Sequence, residues 1–114
     1  MEEKMLGKIV EAKFGRGGYQ NTALGLHLTF ESIKDGWGAF FSKSFHDFNT
    51  IKHNENCKWD EDDRRDAYIN IMIYVSNILD EAKVYTIDQL VNIPVEVVFE
   101  DNKIKDWRIL TEVL

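Results

Sequence analysis

Four of the chain's seven glycines lie between Gly15 and Gly25. A glycine-rich loop can bind phosphate, but a P-loop needs Gly-Lys-Ser/Thr opening a helix, and the dinucleotide fingerprint needs G-x-G-x-x-G between a strand and a helix. Here Gly15-Arg-Gly-Gly18 precedes a strand-like segment, and no Lys-Ser/Thr pair follows. The cluster therefore matches neither motif.

Two interpretations of this cluster remain open. In the first, Gly17 and Gly18 serve only a hairpin or bulge that needs positive φ. In the second, the loop lines a pocket in which backbone N–H groups and a cation meet an anion, an aromatic ring stacks on a heterocycle, and amides read its polar edge. The candidate ligand-binding residues are Arg16, Gly17, Gly18, Tyr19, Gln20, Asn21, His27 and Trp37.

His46, His53 and Cys57 are the residues nearest to a metal or nucleophile set. Their spacings match no zinc pattern, and nothing marks an oxyanion hole or a third orienting group for a Cys-His nucleophile. We therefore expect no metal site, no catalytic residue and no cofactor, and hence no enzyme.

The acidic run Asp60-Glu61-Asp62-Asp63 lacks the glycine and terminal glutamate of a calcium loop. A solvated helix start, favoured by the helix dipole, explains it. The alternative is a protein interface in which Glu55 joins Asp60, Glu61, Asp62 and Asp63 to occupy a basic groove on a partner.

The composition is that of one soluble globular domain over residues 1–114. The net charge is −6, with 20 acidic residues against 14 scattered basic ones, which disfavours non-specific binding to nucleic acid. Neither a signal peptide nor an apolar span of about 20 residues is present, and Cys57 has no partner for an intrachain disulfide. We expect a cytoplasmic protein that does not bind membranes.

The elements that must position these residues follow from periodicity. Strands are predicted over 7–14, 23–31 and 37–41. Arg16-Gly17-Gly18 breaks the first strand, Lys34-Asp35-Gly36 predicts a turn, and residues 42–58 are predicted to form a long loop. In the second strand Leu24, Leu26, Leu28 and Phe30 point to the core, which leaves His27 on the open face.

The C-terminal half predicts one main helix over 61–83, with Asp60 as N-cap and Trp59 as hydrophobic staple. A capping box at Thr86-Ile-Asp-Gln89 predicts a short helix that Pro94 ends, and a hairpin of 95–100 and 103–110 follows. The predicted fold is α+β, an antiparallel β-sheet made of an N-terminal meander and a C-terminal hairpin, packed against one main α-helix.

Aromatic residues exceed what a small core requires: three Trp, seven Phe and four Tyr. Large aromatic side chains often anchor interfaces, and a small antiparallel sheet has exposed edges. We expect a homo-oligomer, most simply a dimer, with the pocket at a subunit boundary.

Several blocks of the chain resemble a widespread group of small proteins encoded by phages and prophages. These blocks are Phe14-Gly-x-Gly-Gly-Tyr-Gln20, Gly25-Leu-x-Leu-x-Phe30, Trp37-Gly, Trp59-x-Glu-x-Asp-Arg64, Ile93-Pro-Val-Glu-Val-x-Phe99 and Trp107-Arg-Ile-Leu-Thr-Glu-Val-Leu114. The last block is the most specific. Between Phe41 and Asn56 the chain differs from the pattern of this group. The resemblance implies a phage origin and no particular chemistry.

A phage origin implies a binding protein that counteracts host immunity. One hypothesis is sequestration of a nucleotide-derived signal, a small anionic ligand. A second is an acidic inhibitor of a host defence nuclease, such as a CRISPR effector, and a third is a structural or interaction protein of phage DNA metabolism. All three rest on analogy rather than on a recognised site.

Overall fold

The computed structural model describes residues 2–46 and 60–114, except for the side chains of Tyr19 and His46. Its sheet has five antiparallel strands in the order β3-β2-β1-β4-β5, packed against one helix, which confirms the α+β prediction. The elements are β1 Glu2–Gly17, β2 Ala23–Ser32, β3 Gly38–His46, α1 Glu61–Ala82, β4 Pro94–Glu100 and β5 Lys103–Ile109, with 3-10 turns at Tyr19–Asn21, Ile87–Leu90 and Thr111–Val113.

Strand β1 is the longest strand and joins the two halves of the sheet. Its residues 7–17 pair with β2, its residues 2–8 pair with β4, and a bulge lies between Ile9 and Glu11. The predicted strand 7–14 was too short at both ends. The charged start Glu2-Glu3-Lys4 has no strand pattern of its own and is held extended by its hydrogen-bonded ladder to β4. Intrinsic strand propensity does not predict such an effect of tertiary structure.

Strand β3 continues to His46, so the prediction of a loop is wrong for residues 42–46; residues 47–58 lie outside the described part of the chain. Two observations account for the longer strand. Its ladder to β2 runs unbroken from Gly38 to His46, and Phe41 and Phe45 contact aromatic rings of α1, with centroid distances of 5.9 Å to Tyr74 and 6.3 Å to Tyr68.

Helix α1 begins where the predicted cap lies. Asp63 N–H donates to Asp60 Oδ1 at 2.7 Å, and Asp60 N–H donates to Asp63 Oδ2 at 3.0 Å, which is a reciprocal capping box. The helix ends at Lys83, whose φ of 58° is left-handed. The predicted staple residue Trp59 lies outside the described residues. Along the helix, Ile71, Val75, Ile78 and Ala82 are buried.

The core lies between α1 and one face of the sheet. Leu26, Leu28 and Phe30 are at most 2% exposed, as the alternation of β2 predicts, and the Phe30 ring lies 5.0 Å from that of Trp107 on β5. The opposite face of the meander, here called the open face, carries His27 together with the exposed Phe40 and Ser42. The open face is therefore not covered by α1.

Candidate functional site

The loop between β1 and β2 is a tight hairpin connection, residues 18–22, closed by the pair Gly17 and Ala23. Asn21 N–H donates to the Gly18 carbonyl at 3.1 Å. Gly18, Gln20 and Asn21 take positive φ values of 71°, 54° and 56°. Glycine and asparagine tolerate this region, so turn geometry explains Gly18 and Asn21, whereas glutamine has no such preference.

Gly17 has a different role from the predicted one, because it is not among the positive-φ residues. A Cβ built on Gly17 would lie 3.0 to 3.2 Å from three atoms of the His27 imidazole. The ring therefore packs directly on the β1 backbone. Gly17 is required by this close approach rather than by its φ angle.

Three hydrogen bonds hold the His27 ring. Its Nε2 lies 3.1 Å from the Gly15 carbonyl oxygen and 2.9 Å from that of Ala23, and its Nδ1 lies 2.6 Å from Ser42 Oγ on β3. Carbonyl oxygens only accept, so Nε2 carries the proton and donates. The imidazole is thereby fixed in position and orientation on the open face.

A cleft of about 390 Å³ surrounds this imidazole, between the hairpin loop and β3. Its charged groups come from β1: Glu11 and Lys13, which form an exposed ion pair at 3.2 Å, and Arg16. Thr29, Phe40 and Ser42 line the other side. With two cations against one carboxylate, the cleft combines a positive bias, an apolar ring and fixed polar groups.

The structure brings together five of the predicted ligand-binding residues, namely Arg16, Gly17, Gly18, Asn21 and His27. Gln20 lies exposed in the turn and does not line the cleft. The backbone of Tyr19 belongs to the same turn, and its side chain is outside the described part of the structure.

Trp37 does not share this site. It follows the far end of β2, where Ser32 N–H donates to its carbonyl at 2.9 Å. Nine residues of extended chain, roughly 30 Å, separate that point from the hairpin loop. The indole contacts Phe99 edge-to-face at 5.1 Å, and a Cβ on Gly7 would lie 2.7 Å from it. Trp37 is thus a packing residue in this chain, and it does not line the cleft that contains five of the other predicted residues.

The acidic cluster at the start of α1 is engaged locally. Asp60 and Asp63 form the capping box. Glu61 lies 3.7 Å from Arg64, and Asp62 lies 3.5 Å from Arg65. Exposed ion pairs of this kind are weak, so they do not prevent these acidic side chains from contacting a partner protein. Helix capping is nevertheless enough to explain why acidic residues occur at the start of α1. Glu55 lies outside the described residues.

Sequence reasoning missed Ser42, Phe40 and Lys13. They reach His27 through strand pairing, since Lys13 and Ser42 are the residues directly opposite His27 on β1 and β3. The signal that could have found Ser42 is the alternation of Phe41, Lys43 and Phe45 with serines, which is a period of two. Recognising it would have extended β3 and placed Ser42 on the open face.

A second cleft, of about 440 Å³, lies on the helix side of the hairpin. It is lined mainly by apolar side chains from both elements: Phe14, Leu24, Tyr68, Ile71 and Met72. Arg16 borders both clefts. Phe14 is 46% exposed and Met72 is 57% exposed, so this surface is apolar and open to solvent.

Titration and metal ligation give no further site. Burial raises the pKa of Tyr74 to about 12, and this partly buried phenol packs against the core beside Phe41. Within residues 2–46 and 60–114, His, Cys, Asp and Glu side chains nowhere gather in threes that could hold a metal ion. In the same part of the chain, the helices lack an apolar stretch long enough to cross a bilayer.

No family model, curated protein or solved structure matches this chain. The resemblance to the phage group therefore stays a prediction from the sequence blocks.

Proposed function

We propose that the protein binds a small anionic ligand in the cleft around His27. The observation that carries this proposal is the way the chain positions the imidazole: a missing Cβ at Gly17, two backbone carbonyls and Ser42 all hold it at the wall of an open cleft. If the His27 imidazole served only to stabilise the hairpin, the cations of Arg16 and Lys13 would not be needed at the same cleft.

Different residues that line the cleft can bind different parts of a ligand. Arg16 can meet an anionic group with a fork of N–H donors, and it has no part in the ion pairs found among the described residues. Phe40, 80% exposed, offers an aromatic face for a ring. Ser42 and Asn21 supply hydroxyl and amide groups for polar edges. A nucleotide combines the three matching features.

The biological role we propose follows from the resemblance to phage proteins. A protein that sequesters a nucleotide-derived immune signal needs tight binding and no turnover, and this role makes it non-enzymatic. The competing inhibitor hypothesis gains no support from the contacts of the acidic side chains of residues 60–63, because these contacts are the helix cap and local ion pairs.

The test is to purify the protein from cells with an active nucleotide-signalling defence, denature it, and identify released small molecules by mass spectrometry. Wild type should release a nucleotide-like anion, and Arg16→Ala should release at least tenfold less. Arg65→Ala is the matched control, because it removes an exposed cation on α1, away from the cleft. Wild type that releases nothing would contradict the proposal, and wild type that instead retains a host protein in a salt-sensitive manner would favour the inhibitor hypothesis.

A further inference from the structure

The hydrogen bonds of His27 determine what Ser42 can offer to a ligand. Nε2 donates to the carbonyls of Gly15 and Ala23, so in the neutral imidazole Nδ1 holds a lone pair. The contact of 2.6 Å between Nδ1 and Ser42 Oγ is then possible only if the hydroxyl donates its proton to the ring. With its proton so engaged, Ser42 Oγ is left with acceptor capacity alone.

Protonation of His27 reverses this arrangement. The imidazolium has N–H groups at both nitrogens, so Nδ1 donates to Ser42 Oγ while Nε2 keeps its two carbonyls. The hydroxyl proton is released from the ring and can turn into the cleft as a donor. One proton on His27 thus changes the hydrogen-bonding sense of Ser42 without moving either side chain.

Other charges face this pair and contribute to any dependence on pH. Lys13 lies opposite His27 on β1, Glu11 pairs with Lys13, and Arg16 borders the same cleft. On β3, Lys43 belongs to the other face, where its ammonium lies 5.7 Å from the Tyr74 ring centroid. Arginine and lysine side chains stay cationic between pH 5 and 8, the range in which histidine side chains titrate.

We infer that Ser42 is the specificity-determining residue of the cleft: beside neutral His27 it accepts from a ligand hydroxyl or amine, and beside protonated His27 it donates to an oxyanion. This rests on the proposed function and narrows its ligand class. At neutral pH the ligand must carry a donor group for Ser42 as well as an anionic group for Arg16. A ribonucleotide has both, whereas a bare oxyanion satisfies only Arg16.

The test uses sulfate, whose charge does not change between pH 8 and pH 5.5, with binding followed by amide chemical shifts in NMR spectra. Wild type should bind sulfate about tenfold more tightly at pH 5.5, through one charge-supported hydrogen bond and the added positive charge. Ser42→Ala keeps the charge change but lacks the hydroxyl, so its gain should be at least threefold smaller. Ser42→Thr retains a hydroxyl on a strand and should recover most of the gain.

Three results would overturn the inference: wild type with the same sulfate affinity at both pH values, wild type without sulfate binding at pH 5.5, or Ser42→Ala with the full wild-type gain. Long-range ¹⁵N–¹H spectra at pH 8 test the first step independently, because they must show the Nε2–H tautomer of His27. All of these measurements use purified protein and need no ligand from cells. Their failure is therefore separate from a failure to find a ligand released from cells.

Discussion

Gly17 and His27 lie on adjacent strands in direct contact, with the imidazole occupying the space that a Cβ of residue 17 would need. This contact joins the glycine cluster to the candidate ligand site. It also makes the ring position sensitive to a single methyl group.

Gly17→Ala should displace His27 while leaving the fold intact. The added Cβ would lie 3.0 Å from Nε2, so the ring must shift by a few tenths of an ångström and its bonds to the Gly15 and Ala23 carbonyls weaken. We expect a loss of stability of about 1 kcal/mol in urea unfolding and clearly weaker ligand binding. Gly38→Ala is the control, because its Cβ would meet only an ordinary contact at 3.7 Å. Equal effects of the two substitutions would contradict the role given to Gly17.

Gly25→Ala should be far more disruptive. Gly25 has a φ of 157°, and a Cβ there would collide with the Lys43 carbonyl oxygen and lie 2.6 Å from Ser44 Cα. Both are backbone atoms of β3 and cannot move without separating the strands. We expect a loss of about 2 to 4 kcal/mol, measured as a shift in the urea midpoint with an unchanged slope. A loss below about 1 kcal/mol would show that β3 is held less firmly to β2 than its ladder indicates.

Asp60→Ala separates the structural from the interface interpretation of the acidic cluster. The substitution removes the acceptor of the Asp63 N–H bond of 2.7 Å, and loss of an N-cap costs about 1 kcal/mol of stability. Thermal unfolding should show this loss, while ligand release from the purified protein should equal that of wild type. Weakened retention of a host protein at unchanged stability would assign the cluster an interface role instead.

Self-association should involve the apolar surface beside α1. Ile69, Met72 and Ile73 are 49%, 57% and 53% exposed at helical spacing, and Phe14 is close to Met72 in the apolar cleft. We expect light scattering at micromolar concentration to give a dimer, and Met72→Lys to shift it toward the monomer by placing a charge in that surface.

The control for this experiment is Tyr85→Lys. Tyr85 is 91% exposed after the end of α1, so its replacement adds the same charge and removes a larger apolar group elsewhere. A wild-type protein of 13 kDa mass in solution would refute self-association. Equal dissociation of both variants would place the interface outside the α1 surface.

Local patterns predicted the parts of this fold that depend on local physics. The strict alternation around Leu26, Leu28 and Phe30 determined which face of β2 is buried, and the Asp60 cap with the helical apolar spacing placed α1 within one residue. The positive φ of Gly18 in the turn between β1 and β2 was recognised for the same reason, whereas Gly17 belongs to β1. Each of these signals is complete within about 20 residues of chain.

What could not be predicted depends on pairing between distant residues. Ser42 became a site residue because β3 lies in register with His27, and Trp37 left the site because β2 carries it to the far end of the sheet. Neither register nor strand direction is encoded in composition. The direct contact of Gly17 with a ring ten residues away is of the same kind, since only the hairpin geometry brings them together.

The division of β1 between two ladders has a consequence for the order in which the sheet can be made. Residues 7–17 find their partner in β2, within the next 25 residues, but residues 2–6 have their ladder partners in β4, which begins at Pro94. During synthesis, the meander can therefore close while the first segment waits as an unpaired strand until almost the whole chain has emerged. The charges of Glu2, Glu3 and Lys4 disfavour pairing with other nascent chains during that interval.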